Sequence, residues 1–283
     1  MHNITAERVA AVRTWLETNN LDAVIIPHED EYLGEYVPAH NERLHWLTGF
    51  TGSAGAAVIT RETAAIFVDG RYTVQVRKQV PAELFEYRHL IEEPALDWII
   101  NSLPQGSKVA LDPRMHTAAW LKGAQAKLAE KVELTTLSAN PIDALWSDRP
   151  EPVVSDVRLM ATDAVGQSSE SKRAEIAGLL KAKGADAAIL TELDSICWLL
   201  NIRGLDVSRL PVVLSNAIIH ADESVDFFLD PARIPAGFEA HVGNGIRVSH
   251  PSELEVRLQS LENRNVSVDS STSNAWYTLV LQN

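Results

Sequence analysis

The sequence predicts an α/β protein of two tandem similar domains, each a mixed β-sheet flanked by helices. Three observations carry this. One ordered set of segments occurs twice, short apolar runs alternate with helical stripes, and 283 residues suit two cores better than one. The first set runs through Leu21 to Ile26, Trp46 to Phe50, Ile66 to Asp69 and Val109 to Asp112. The second runs through Ala185 to Leu190, Trp198 to Gly204, Phe227 to Asp230 and Val266 to Asp269. Matching anchors lie about 150 to 165 residues apart, far beyond the roughly 20–50 of a repeat array, so the duplicated unit is a domain. The halves near 1–137 and 171–283 are expected to superpose, Trp46 on Trp198 and Asp69 on Asp230.

The first copy opens on a helix whose apolar stripe is Val9, Val12 and Leu16, with Thr5 as its expected cap and Glu7 near its first turn. Runs at 23–26, 56–59 and 65–68 are too short for helices and read as strands. Phe85, Tyr87, His89 and Ile91 alternate with Glu86, Arg88 and Leu90, the pattern of a half-covered strand. A strand at 109–112, a helix containing Trp120 and a strand at 132–137 close the copy.

The domain boundary falls between about Ala139 and Ser168, where Pro141, Pro150, Pro152 and the turn-rich 166–169 punctuate the chain. This sets domains at 1–138 and 169–283 with a linker at 139–168. Within the linker, Ile142, Ala144, Leu145 and Trp146 suggest a short amphipathic turn able to staple one domain to the other. The second copy opens on the stripe Ile176, Leu179 and Leu180, with Ser171 as cap and Glu170 in the first turn. Strands are expected at 211–214, 217–219, 227–229 and 266–269, and a helix along Leu254, Leu258 and Leu261. A counterpart of the strand at 132–137 is missing. The second domain is therefore expected to be truncated at its C-terminal end, to be the less stable half, and to have its open edge or its third-domain face buried by another copy in crystals or at high concentration.

Composition narrows the functional classes. With 46% hydrophobic and 22% charged residues, the chain reads as an ordinary soluble globular protein. A net charge of −13 argues against nucleic acid, which needs clustered Lys and Arg. No apolar run approaches the roughly 20 residues of a membrane span. The N-terminus carries no signal-like core, since Glu7, Arg8, Arg13 and Glu17 interrupt it, so a cytoplasmic location is expected. The single cysteine, Cys197, sits in an apolar run and reads as a buried, inert thiol.

The search for chemistry is mostly negative. No His-Glu-x-x-His, Cys-x-x-Cys or Gly-x-Ser-x-Gly pattern occurs. His28-Glu29-Asp30-Glu31 concentrates possible ligands, but adjacent residues of an extended segment face opposite ways, so it reads as a solvated acidic loop. His40 and His45 are not aligned on a helix, and 220–223 reads as a polar turn. The glycine-rich stretch 49–55 resembles a phosphate loop only superficially, because a strand-like run, not a helix, follows it. Asp69-Gly70-Arg71-Tyr72 closes a strand and opens a helix, placing Arg71 where a fixed cation meets a carboxylate or simply stays solvated.

These residues resemble a known family. Tyr36-Val37-Pro38, the stretch from Gly49 to Ala57 and Asp69 to Tyr72 are similar to the first domain of the long, three-domain Xaa-Pro aminopeptidases (aminopeptidase P). Asn140 to Pro150 is similar to that family's linker, and Leu193 to Val207 to the start of its second domain. The resemblance covers essentially the whole chain. It implies two creatinase/prolidase N-terminal-like domains, and a parent activity that removes an N-terminal residue preceding proline.

In that family catalysis belongs to a third, pita-bread domain with two divalent metals, usually manganese, held by two Asp, one His and two Glu. The resemblance implies that this domain is absent here and that no catalytic or metal residue lies in the chain. The chain is then expected to be a noncatalytic part serving substrate access and subunit association. Its expected partners are its own missing C-terminal catalytic domain, another copy in a homo-oligomer, and peptides with proline at the second position. The resemblance places Glu35 and Arg71 beside a substrate path, Glu35 toward a peptide's ammonium and Arg71 either toward its carboxylate or orienting a neighbouring acid. The rival class is a pseudo-peptidase module that binds a peptide or protein without catalysis.

Overall fold

Residues 2–282 are described by a computed structural model, which divides the chain into two compact units, 1–151 and 152–283. In the first unit, helices α1 (His2–Thr18), α2 (Arg43–Thr48), α3 (Thr73–Gln79), α4 (Ala95–Ser102), α5 (Ala118–Leu128) and α6 (Pro141–Leu145) surround one sheet. Its strands are β1 (Ala23–Pro27), β2 (Gly55–Thr60), β3 (Ala64–Val68), β4 (Glu86–His89), β5 (Ser107–Leu111) and β6 (Val132–Thr136). They lie in the order β4-β3-β2-β1-β5-β6, with β2 antiparallel to both neighbours and all other pairs parallel.

The second unit repeats this arrangement. It contains β7 (Arg158–Leu159), β8 (Ala187–Leu190), β9 (Ile202–Arg203), β10 (Asn216–His220), β11 (Val225–Phe228), β12 (Ile246–Ser249) and β13 (Val266–Ser267). Its helices are α7 (Thr162–Val165), α8 (Ser169–Ala182), α9 (Leu193–Leu200), α10 (Phe238–Val242), α11 (Leu254–Gln259) and α12 (Ala275–Gln282). The main sheet runs β12-β11-β10-β8-β13, again with only β10 antiparallel to its neighbours; β7 and β9 form a separate two-stranded ribbon.

Register proves the duplication. Ala23 pairs with Thr60 on one side and Val109 on the other; Ala187 pairs with His220 and Val266 in the same way. Trp46 and Trp198 each stand three residues before a left-handed helix cap, Gly49 and Asn201. Asp69 and Asp230 each follow the third strand of their sheet and accept from the backbone N–H two residues on, at Arg71 and Ala232. Such an Asx turn breaks the strand and starts a helical segment. The two Trp environments differ, however, for Trp46 is buried and Trp198 is 46% exposed.

Apolar alternation explains both cores. Val9, Val12 and Leu16 seat α1 against β1 and β2, where Val24, Ile26, Ala57 and Ile59 face it. Full burial of side chains of this size contributes about 1.5–3 kcal/mol each. In the second unit Leu254, Leu258 and Leu261 pack with Ile189, Ile218 and Phe228.

Several expectations are corrected. Thr5 lies inside α1 and is buried rather than capping it, and Ser168, not Ser171, caps α8 by accepting from the Ser171 N–H. Leu179 is exposed; the buried face of α8 is instead Lys172, Arg173, Ala177 and Leu180. Residues 211–214 form no strand, because the Asp206 carboxylate captures the Leu214 N–H and the Val212 carbonyl accepts from Asp206. The segment expected as a linker is divided between the units: Ile142 and Trp146 belong to the first core, Val157 to the second. The α6 turn therefore packs on its own unit.

The glycine-rich stretch is a packing device. A Cβ on Gly55 would meet the Phe67 backbone oxygen at 2.9 Å, and one on Gly123, on the exposed face of α5, would meet nothing within 4 Å. Gly55→Ala should therefore lower stability by about 1–3 kcal/mol. Gly123→Ala should raise it by about 0.5–1 kcal/mol. Urea denaturation of both variants measures the contrast, and equal effects would refute the packing argument.

Candidate functional site

The residues expected near a substrate path converge on one rim of the first sheet. The turn after β3 begins with Asp69, whose carboxylate accepts from the Arg71 N–H at 2.9 Å and then grips the Arg71 guanidinium through Nε and Nη2. The Arg71 side chain is 60% exposed while that of Asp69 is mostly covered, so the acid acts as a fixed clamp and the cation as the presented group. The hydrogen bond from Arg71 holds the Asp69 carboxyl below its ordinary range, and the bond to Asp69 in turn raises the Arg71 pKa. The guanidinium also lies over the Tyr72 ring, 5.1 Å from its centroid.

Glu35 joins the same group. Its carboxylate accepts from Ser53 Oγ at 3.3 Å, Ser53 Oγ meets Tyr72 Oη at 2.9 Å, and Tyr72 Oη accepts from the Ser53 N–H at 3.2 Å. The negative charge of Glu35 adds to the elevation of the Arg71 pKa, as expected for groups sharing one rim. The glycine-rich loop thus delivers Ser53 between Glu35 and Tyr72, the ring over which Arg71 lies. Sequence reasoning named Glu35 and Arg71 but passed over Ser53, Tyr72 and Asp69 as site residues. The available signal was their position in the glycine-rich loop and in the Asp-Gly-Arg-Tyr turn.

Behind this rim the segment 28–31 is no solvated acidic loop. Asp30 is buried and accepts from the Tyr32 N–H and Asn41 Nδ2, each at 3.0 Å. Arg43, also buried, forks onto Glu31 at 2.5 Å and Asp143 at 2.7 Å. Arg149 adds a bond to Asp143 at 3.0 Å and donates to the His40 carbonyl at 2.6 Å. Burial works against the Arg43 charge, but its bonds to Asp143 and Glu31 outweigh burial and raise its pKa. The network lies at the carboxyl ends of β1 and β5, where an open α/β sheet offers its crevice. Here the chain's own α6 and Arg43 fill it.

Those carboxylates are the nearest approach to a metal cage, and they do not fit one. Asp30, Glu31, Asp112 and Asp143 are bonded to amides and guanidiniums, and among the described residues no group of three or more His, Cys, Asp or Glu is placed to hold an ion. A di-metal site needs open, convergent carboxylates. Cys197 is buried, and burial pushes its thiol up, so it is poorly suited to act as a nucleophile. Among the described residues no helix is long and apolar enough to cross a membrane.

Two buried groups give the first unit opposing pH responses. Burial, with the charge of Glu31 beside it, pushes the Asp30 carboxyl up to about 6. Burial pushes the His116 imidazole down to about 3; it stacks on Trp120 at 4.1 Å, and its Nε2 has no partner. The Asp30 contribution is present below 3.8 and is lost as pH rises through about 6. The His116 contribution is present above 6.5 and is lost as pH falls toward about 3. His116→Phe keeps the stacking and removes the proton site. Below pH 6.5 it should flatten the fall of stability on acidification by up to about 1.4 kcal/mol per pH unit. Urea melts across that window test this, and parallel slopes for both proteins would refute it.

Comparison with known proteins supplies the context. Residues 8–145 match the sequence model of the creatinase/prolidase N-terminal domain, and residues 148–283 match a second model of the same description. The chain is 32% identical over 255 residues to a Drosophila melanogaster Xaa-Pro aminopeptidase, covering 89% of this chain and 40% of that protein. It is 28% identical over 288 residues to a Dictyostelium discoideum Xaa-Pro aminopeptidase, covering 97% of this chain and 46% of that one. The chain thus spans less than half the length of these relatives. Its fold matches the crystal structure of an X-prolyl aminopeptidase from Caenorhabditis elegans, described as a cytosolic enzyme with a di-nuclear active site. The TM-score is 0.92 at 24% identity, over 98% of this chain and 48% of that one.

Proposed function

Because the chain belongs to the creatinase/prolidase N-terminal domain family, in two tandem copies, we propose that it is the noncatalytic N-terminal part of a dinuclear-metal Xaa-Pro aminopeptidase. In this role it serves substrate access and subunit association. Its partners are the C-terminal catalytic domain, a further copy in a homo-oligomer and peptides with proline second, within the cytoplasm. The two metals, manganese by family resemblance, belong to the catalytic domain.

One observation carries the reading. Glu35 and Arg71 share a rim, and each is held by a neighbour: Arg71 by the Asp69 clamp, Glu35 through Ser53 by Tyr72. A preorganised anion and cation suit a short peptide, whose ammonium meets Glu35 and whose carboxylate meets Arg71. Holding both charges in place beforehand reduces the ordering cost of binding.

A tripeptide with proline second should perturb the amide resonances of Ser53, Arg71 and Tyr72 in titrations of the chain. Glu35→Gln and Arg71→Gln should each weaken that binding by about tenfold. Unchanged affinity in both variants, or perturbations confined to other residues, would overturn the assignment. With added manganese, the chain should release no first residue from the same peptide. Chelator-sensitive turnover by a preparation free of host peptidase would overturn the noncatalytic role.

A further inference from the structure

The turn that presents Arg71 has a neighbour with no part in the rim described so far. His89 ends β4, and its Cα stands opposite Val68, the last residue of β3 and the one directly before Asp69. The Leu90 N–H donates to the Val68 carbonyl at 2.9 Å, so the chain leaving β4 stays against the start of the Asp69 turn. A Cβ built on Gly70 would lie 3.9 Å from His89 Nε2. The bond from Arg71 is the main hold on the low pKa of the Asp69 carboxyl, and His89 adds to it. Arg71 and His89 are thus gathered round one turn, whose middle residue is a bare, exposed glycine.

The other ring nitrogen decides what His89 offers. Nδ1 accepts from the Ile91 N–H at 3.3 Å and from the Glu92 N–H at 3.2 Å. An imidazole nitrogen that accepts carries no proton, so in the neutral ring the proton sits on Nε2. The ring is half-buried, and among the described residues no group accepts from that Nε2–H. Arg71 is similarly placed. Asp69 engages its Nε and Nη2, and among the described residues Nη1 has no acceptor.

Two held donors without an internal acceptor suit a ligand group that brings two acceptor oxygens. A carboxylate has them, whereas a carboxamide offers one and adds N–H groups of its own. We propose that His89 is a specificity-determining residue whose Nε2–H, together with Arg71, seats the free terminal carboxylate of the bound peptide. The substrate class is then a short peptide with an unblocked C-terminus; this rests on the reading of the rim as a peptide site. His89 selects and takes no part in bond breaking, for it holds the end of the peptide opposite the ammonium at Glu35.

Three measurements on the whole chain test this. Above the usual imidazole range of about 6.5, long-range proton–nitrogen spectra should show His89 protonated at Nε2 and bare at Nδ1. The opposite tautomer would overturn the proposal. The tripeptide with proline second should bind about tenfold more tightly than its C-terminal amide. His89→Asn keeps an acceptor for the backbone N–H groups that follow and removes the distal donor, so it should erase most of that preference. Equal affinity of acid and amide for the parent chain, or a preference that survives in His89→Asn, would overturn the seat and leave the peptide site standing. Sodium acetate, titrated against sodium chloride at equal ionic strength, probes the seat without a peptide. It should shift the His89 Nε2 and Arg71 Nε resonances, and no shift at either would overturn the seat. An acetate response without binding of either peptide would uphold the carboxylate seat and refute the peptide reading. The tautomer and acetate results decide the matter should the substitution disturb folding.

Discussion

Both units depend on one crossing, where the chain leaves the far side of its sheet and returns to pair with the first strand. That strand must accept β2 or β10 antiparallel on one side and β5 or β13 parallel on the other. An aspartate just before it fastens the crossing. Asp22 donates its N–H to the Lys108 carbonyl and accepts the Lys108 N–H on its carboxylate, each at 2.8 Å. Asp186 does the same with Asn265. A carboxylate bound to a backbone N–H makes a charge-assisted bond, about twice as strong as a neutral one. It selects one register among those the apolar pattern allows, and a one-residue slip would turn every core side chain outward.

With the crossing fixed, the sheet ends fall at set positions and the loops acquire their chemistry. Aspartates after β3, β5, β11 and β13 all accept from a backbone N–H two residues on: Asp69, Asp112, Asp230 and Asp269. The same local device serves different ends. At Asp69 the i+2 residue is an arginine whose guanidinium the same carboxylate then holds, which turns a strand terminator into a presented cation. At Asp112 the carboxylate is buried and also accepts from Asn140 at 3.3 Å, tying the start of α6 to β5. At Asp269 the partners are Ser271 N–H and Oγ, and nothing is presented.

Much of this architecture was legible in the sequence because apolar runs and strand-closing aspartates are local signals. The duplication, the opening helices and the strands of the first sheet could be read from them, whereas β7, β9 and β12 drew no expectation. Two kinds of feature could not. Residues 211–214 look like a strand, but a distant-facing carboxylate, Asp206, captures their backbone; it also holds Ser155 and Arg233, so its role is set by tertiary contacts. The acidic segment 28–31 looked solvated because its partners, Arg43, Asn41 and Asp143, come from elsewhere in the sequence. Of the candidate site, the charged ends Glu35 and Arg71 were visible in sequence. The Ser53–Tyr72 link between them was not, since it requires knowing that the glycine-rich loop folds back over the end of β3.

Comparing the copies separates what the fold requires from what each unit has added. Asp226 lies centrally on β11, where the register places apolar Ala65 in the first unit, and it gathers His220, Arg257 and Arg247 on one face of the sheet. The fold does not need a charge there, as the first copy proves. The converse holds at the first unit's crevice, which Arg43 and α6 fill, while Thr191 and Ser273 meet at 3.3 Å at the matching place in the second. Each unit has therefore put its ionic network at a different point of one scaffold. What the two share is the strand order and register, the crossing, the strand-closing turns and the left-handed caps after Trp46 and Trp198. The common frame thus fixes direction and register, and the side chains at the sheet ends are free to diverge.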